Sequence, residues 1–415
     1  MKKKKKILFV AFPHSIHAVR WIRQLKNAGW DVAIFPSVDV PEYHPEMPEV
    51  ASPFISLYLL RNPRTAVRRY GGYFFLLNIF LFLLKWFMVV TSGDIRRRAG
   101  KRYLKTQLDM VLRFWRPDIV HSLETQSAGY LVADVKRKWK GRFPVWVHTN
   151  WGSDLYLFGR LKVHEERVRE VISSCDHYLC ECRRDLALAK TFGYAGPVHE
   201  PYPNTGGFDV EKVGKLRGVS KTSERKIVLV KGYQHWAGRA LVALRALELC
   251  ADDLKGYEVW LYSVQTDAVT IKAELFAQTT GLPVNIMPLD SSHDAILELF
   301  TRSRIYVGLS ISDAISTSLL EAMVTGAFPI QSCTSCADEW IVDGKTGFIV
   351  PPEDPERVAV AIRRALTDDA LVDRAADLNW QRNAERLDAK ILAEKTIQLY
   401  TNVLEMGKAE RNDVQ

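Results

Sequence analysis

Short apolar runs rich in Val, Ile and Phe alternate along this chain with longer stretches whose apolar residues recur every three or four positions. In the first half the short runs are Lys6–Phe12, Val32–Pro36, Ile55–Leu60, Asp118–Leu123, Pro144–Thr149 and His177–Cys182, and each has the length of a buried strand. Between the first two, Ser15–Ala28 carries Ala18, Trp21, Ile22 and Leu25 at helical spacing, and Gly29 is placed to stop it. Strand, helix and strand at this spacing predict a βαβ unit and a parallel sheet. The alternation restarts with Lys226–Val230, Glu258–Tyr262, Val284–Met287, Arg304–Leu309 and Phe328–Gln331. Pro, Asn and Gly cluster between the two series, in 201–224, so a linker is expected around 205–225. The pattern predicts an α/β protein of two doubly wound parallel-sheet, Rossmann-like domains. Ligands bind such sheets at the carboxyl ends of the strands, which makes a central cleft between the domains the expected site.

Composition narrows the class. The chain has 415 residues, 47% hydrophobic and 25% charged, which fits globular domains and excludes a disordered or fibrous protein. Six cysteines are too sparse for a disulfide framework at this length. Lys2–Lys6 runs straight into a strand-like segment with no cleavage site, so a reduced, cytoplasmic setting is expected. Cys333 and Cys336 form a C-x-x-C with no second pair, which reads as small buried loop residues rather than a zinc site.

Charge is unevenly placed. Residues 1–205 hold 33 Lys and Arg against 18 Asp and Glu, whereas 206–415 hold 24 against 30. The excess concentrates in 61–116, with 13 basic and 2 acidic residues. Inside that stretch, 73–90 is apolar apart from Asn78 and Lys85. As a helix it would rise about 27 Å, marginal for a bilayer, and a central lysine opposes spanning. A buried helix and an interfacial helix are the other readings. Arg61, Arg64, Arg68 and Arg69 before it and Arg96–Arg98, Lys101, Arg102 and Lys105 after it favour attachment of segment 61–105 to an anionic membrane surface. No nucleic-acid reader motif accompanies the patch, so no nucleic-acid partner is expected.

The segment 310–329, SISDAISTSLLEAMVTGAFP, concentrates the chemistry. Asp313 and Glu321 are eight apart, and they share roughly one face if the segment is helical. Ser316, Thr317 and Ser318 between them offer hydroxyls and backbone N–H groups at a helix start, a seat for phosphate.

Asp313-x7-Glu321 followed by Gly326 and Pro329 resembles the E-x7-E signature of retaining glycosyltransferases of family 4, which have the GT-B fold. Glu339–Pro352 is similar to the block that follows that signature. Lys231–Gly232 and Gly238–Arg239 resemble the family's donor loop with Lys and Arg exchanged, and Pro203–Asn204 with Gly207–Asp209 its hinge. Trp151–Asp154 matches the position of a His-Gly-x-Asp loop. The matches run in the family's order over nearly the whole chain. The resemblance implies an acceptor-binding domain over 1–205, a nucleotide-sugar domain over 206–390, and a C-terminal helix over 391–415 that packs back on the first domain.

The resemblance also implies roles. Lys231 and Arg239, beside Gly232, are expected to stabilise the leaving diphosphate, and Glu321 to accept hydrogen bonds from the ribose hydroxyls. Asp313, shorter than the usual Glu, is expected near the sugar ring. In the first domain Asp154 and His148 are the catalytic candidates, because Trp151 cannot act as a base where relatives carry His. His14, Ser15, His17 and Glu124 are the acceptor-side candidates at strand ends. The second half shows no dense Asp/His cluster, so no metal and no cofactor are expected, the nucleotide-sugar being a co-substrate.

These readings converge on a hexose-type sugar transfer from a nucleotide-diphosphate sugar to a lipid-linked or saccharide acceptor, with retention, in cell-surface polysaccharide or glycolipid assembly at the inner face of the membrane. Two alternatives stand beside it. One is a non-catalytic membrane adaptor on a degenerate transferase fold, kept open by Asp313 and Trp151. The other is a further GT-B enzyme such as a nucleotide-sugar epimerase.

Overall fold

The computed structural model describes residues 4–38, 43–48, 50 and 96–412. The expected strand Ile55–Leu60 and the apolar stretch 73–90 lie outside the described residues. The chain divides into two compact units, Met1–Gly206 with Leu392–Gln415, and Gly207–Ile391.

The first unit is built on five strands, β1 (Lys6–Ala11), β2 (Asp31–Pro36), β3 (Ile119–Leu123), β4 (Val145–Thr149) and β5 (His177–Leu179). They pair in parallel in the order β2-β1-β3-β4-β5. Residues 7–11 of β1 are all buried, as a parallel strand covered on both faces must be. The helices α1 (Ile16–Arg23), α2 (Arg96–Trp115), α3 (Tyr130–Lys136), α4 (Lys162–Ser174) and α5 (Arg183–Thr191) follow the strands. Helix α1 ends six residues before Gly29, and a series of turns fills the gap. Strand β5 is shorter than its apolar run, because Cys180 leaves the ladder and its carbonyl accepts from the amide of Tyr202.

The second unit opens with α6 (Val210–Arg217), so helix occupies part of the expected linker. Its strands are β6 (Ile227–Lys231), β7 (Glu258–Tyr262), β8 (Val284–Ile286), β9 (Ser303–Gly308), β10 (Phe328–Ser332) and β11 (Phe348–Val350). They form a parallel sheet in the order β11-β10-β9-β6-β7-β8. Read from its first strand this is the doubly wound order whose direction reverses between β6 and β9, and a crevice opens at that reversal. Helices α7 (Ala240–Leu249), α8 (Asp267–Thr280), α9 (His293–Arg302), α10 (Thr317–Thr325), α11 (Pro355–Thr367) and α12 (Asp369–Asn383) complete it. Arg304 on β9 is 1% exposed, and its guanidinium donates to the carbonyls of Ser223, Ala365 and Leu366 and to Asp369, tying strand to helix ends. No helix among the described residues is long and apolar enough to cross a membrane.

The last helix, α13 (Ala389–Asn412), belongs to the first unit from Leu392 onward. Tyr400 anchors it. Its hydroxyl accepts from the Trp21 indole N–H at 2.7 Å and lies 2.6 Å from Nδ1 of His121, whose Nε2 reaches Thr149 at 2.7 Å. Burial holds the His121 pKa well below its ordinary value, with His148 adding to the effect, so the ring is neutral and the chain of hydrogen bonds closes. Tyr400→Phe strands a buried indole N–H and a ring nitrogen, at a cost of about 1–3 kcal/mol. Urea denaturation is expected to show a lower midpoint with an unchanged slope; a wild-type midpoint would contradict this reading of the helix.

Candidate functional site

In the second unit the reversal between β6 and β9 gathers the residues singled out in the sequence. Lys231 ends β6, half-buried, and its Nζ lies 3.3 Å from Oγ of Ser316 and 4.6 Å from the centre of the Tyr233 ring. Burial alone would lower its pKa. The hydroxyls of Tyr306 and Tyr233 and the carboxylates of Asp313 and Glu321 outweigh that and raise it, so the group stays a cation at neutral pH.

Asp313 does not share a helix with Glu321. Helix α10 begins only at Thr317, and Asp313 sits in the preceding loop with its carboxylate accepting from the amide of Ala314. The two acids meet through the field around Lys231, not through helical spacing. Ser316 is the N-cap of α10 but makes no side-chain cap, so its hydroxyl faces Lys231 and leaves first-turn amides for another acceptor. Thr317 is half-buried in that turn, and Ser318 is buried against the hydroxyls of Tyr262 and Tyr306.

Glu321 is 4% exposed, and its Oε1 lies 2.8 Å from Nε2 of His293 at the start of α9. His293 stacks over the ring of Phe208, at 6.5 Å between centres. This pairing is absent from the sequence reading. One carboxylate oxygen is thereby committed. Phe208 is itself fixed by hydrogen bonds of its amide to Leu387 and of its carbonyl to Ala389. Gly207 permits this with φ +76°, where a Cβ would stand 2.7 Å from the Leu387 carbonyl oxygen.

Two residues of the loop after β6 are otherwise engaged. The missing side chain of Gly232 makes room for Val264, 2.5 Å from a built Cβ, and its amide donates to Tyr262. Packing against the end of β7 therefore explains that glycine. The Arg239 guanidinium bonds Glu353 at 2.9 Å and the carbonyls of His235, Trp236, Ala237 and Gly238, so it braces its own loop. Beyond β10, Cys336 is buried and Cys333 is exposed, which corrects the expectation that both are buried.

In the first unit the ends of β1 and β4 meet. Trp151 packs against Phe12 and His17, with ring centres 5.8 and 5.5 Å apart, and exposed His14 lies beside Phe12. The Ser15 hydroxyl caps α1 by accepting from the amide of His17 at 3.2 Å. His148 is fully buried, with Nδ1 at Ser122 and Nε2 at Thr125, and burial pushes its pKa down to about 3. Such a ring stays neutral and holds strand ends together.

Glu124 follows β3 with φ +83°, a strained angle for a side-chain-bearing residue. Its carboxylate accepts from the amides of Ser127 and Ala128, and the strain is held by the π-turn Thr125–Gly129. Asp154 is 4% exposed, with one oxygen accepting from the amides of Thr125 and Trp151 at 2.8 and 2.7 Å. Burial pushes Glu124 up to about 8, with repulsion from Asp154 adding to it, and burial raises Asp154 to about 7.

Folded pKa values above the ordinary carboxyl range mean that folding takes up protons. The contribution of these two groups to stability is therefore fully present below their unfolded values and is lost as pH rises to the folded ones, over about pH 4 to 8. Asp154→Asn keeps the acceptor for Thr125 and Trp151 and removes one charge. Melting curves are expected to show the variant gaining on wild type as pH rises; a difference independent of pH would contradict the shared burial of the two acids.

The comparisons with known proteins agree with this architecture. Residues 267–386 match the family model described as glycosyl transferases group 1. Glycogen synthase of Mycobacterium tuberculosis is 24% identical over 405 residues, spanning 91% of this chain and 87% of that protein. Sucrose-phosphate synthase from Thermosynechococcus elongatus superposes with a TM-score of 0.67 at 16% identity, covering 97% of this chain and all of that one (100%). HepE of Anabaena in complex with UDP-glucose gives 0.65 at 14% identity, over 96% and 99%. The α,α-trehalose 6-phosphate synthase from Burkholderia multivorans gives 0.67 at 12% identity, over 99% and 100%. The two parallel-sheet, Rossmann-like domains of this chain match the GT-B fold of glycosyltransferase structures.

Proposed function

We propose that this protein is a glycosyltransferase that moves a sugar from a nucleoside-diphosphate sugar to an acceptor, with retention at the anomeric carbon. The observation that carries the proposal is the Lys231 ammonium at the sheet reversal, bonded to Ser316 beside the uncapped start of α10 and flanked by Asp313 and Glu321. A leaving diphosphate gains negative charge in the transition state, and a fixed cation with free helix amides stabilises that charge where it develops. The free oxygen of Glu321, steadied by His293, suits the ribose hydroxyls. In this scheme Asp313 contacts the sugar. No covalent nucleophile is required in this scheme, since positioning and electrostatics lower the barrier.

Several finer points belong to the proposal. The HepE structure is a complex with UDP-glucose and the trehalose-6-phosphate structure from E. coli is bound with UDP-2-fluoro glucose, which makes a UDP-hexose the first donor to test. The first domain takes the acceptor, with His14, His17, Trp151 and the Glu124–Asp154 pair at its strand ends. Ser15 and His148 serve there as cap and strut. Arg239 acts by bracing the donor loop, and no metal is needed while Lys231 supplies the charge. The basic and apolar segment 61–105 supports a lipid-linked or membrane-proximal acceptor at the cytoplasmic face, in surface polysaccharide or glycolipid assembly.

A thermal-shift panel of UDP, GDP, ADP and CMP, with and without magnesium, tests the donor site on wild type and Glu321→Ala. A ligand at about 100 times its Kd stabilises the native state by about 2.7 kcal/mol. One diphosphate is expected to stabilise wild type without magnesium and to lose most of that effect in Glu321→Ala. Absence of a shift with every nucleotide would overturn the proposal.

A further inference from the structure

The loop 232–238, between β6 and α7, is built around two side chains that no role above absorbs fully. Its carbonyls at 235, 236, 237 and 238 turn toward the Arg239 guanidinium. The amides of Ala237 and Gly238 donate to Nδ1 of His235, at 3.0 and 3.5 Å. The loop is held from outside as well, through Ala237 O to Ile311, Gln234 to Leu241 and Tyr233 O to Ala240. The conformation is therefore over-determined, and His235 is part of what determines it.

This arrangement fixes the chemistry of the ring. An imidazole nitrogen that accepts from backbone N–H groups carries no proton, so the hydrogen of the neutral ring sits on Nε2. Protonating the ring at Nδ1 would break both loop hydrogen bonds. Partial burial and the nearby charges of Lys231 and Arg239 lower its pKa, against a smaller opposing pull from Asp313. His235 is thus a neutral, exposed donor with one orientation, its ring steadied between Tyr233 and Trp236 at 5.6 and 5.3 Å. The positive field that keeps it neutral also attracts an anion to its outward N–H.

We propose that His235 binds ligand in the second domain, donating its Nε2–H to a phosphate oxygen of the nucleotide whose diphosphate Lys231 holds. This rests on the proposed donor site and adds to it a neutral donor beside the half-buried cation. A hydrogen bond to a charged oxygen adds affinity and direction without a second charge.

Two substitutions separate the ligand role from the loop role. In His235→Asn the amide oxygen can take the place of Nδ1 and keep the loop hydrogen bonds, but nothing reaches the position of Nε2. In His235→Gln an amide N–H reaches the Nε2 position and the acceptor at Nδ1 is lost. Calorimetry on the full chain uses inorganic pyrophosphate, UDP, GDP and ADP as probes. His235→Asn is expected to weaken the pyrophosphate and the bound nucleotide by about tenfold with an unchanged melting temperature, the loss of one charge-assisted hydrogen bond. His235→Gln is expected to retain more of that affinity than His235→Asn. Wild-type affinity in His235→Asn would overturn the assignment while leaving the donor site intact. Failure of wild type to bind any of the four probes would instead overturn the donor site, and this inference with it.

Discussion

The ammonium of Lys231 is the constraint on which the second domain's site depends. A lysine at the end of a central parallel strand leaves water on one side and enters a packed sheet on the other, and burial there disfavours its charge. Asp313, Glu321 and two tyrosine hydroxyls restore the charged form, with the Ser316 hydroxyl at 3.3 Å as a direct partner. Tyr233 follows Lys231 directly after β6, whereas Tyr306, Asp313, Ser316 and Glu321 come from β9, the loop after it and α10, so the cluster exists only when those two parts of the sheet are paired. The strand order places the crevice there, since its direction reverses between β6 and β9. Around the cation the remaining groups serve one another. His293 orients Glu321, Phe208 supports His293, and Arg239 gathers the carbonyls of the loop that His235 completes.

The first domain solves a different problem with buried polar groups. Trp21, Tyr400, His121 and Thr149 form one unbroken line of hydrogen bonds, linking the last helix to β3 and β4. A second line runs from Trp146 through Ser122 and His148 to Thr125, whose amide meets Asp154. Both lines end at the carboxyl ends of strands. The second leads to Glu124 and its positive φ, and strain of that kind persists only where surrounding bonds enforce it.

Most of the fold was legible in periodicity, because strands covered on both faces read as continuous apolar runs. Ten of the eleven described strands coincide with such runs. The exception, Phe348–Val350, is three residues long and lies between a turn and Pro351. The site was legible only in part. Motif order located Lys231, Asp313 and Glu321, but spacing suggested a shared helix face where the structure uses a loop and a helix. His293 opens an ordinary amphipathic helix 28 positions before Glu321, and no local pattern reports a contact across that separation. His235 and Arg239 look alike as polar loop residues; only the direction of carbonyls and amides distinguishes their work.

A crystal structure of the protein with a bound nucleoside diphosphate, UDP first, is the decisive measurement for the second domain. The diphosphate is predicted to lie against Lys231 and the start of α10, with the ribose hydroxyls on Glu321. A nucleotide bound away from the β6–β9 reversal, or one there whose phosphates turn away from Lys231, would contradict the assignment.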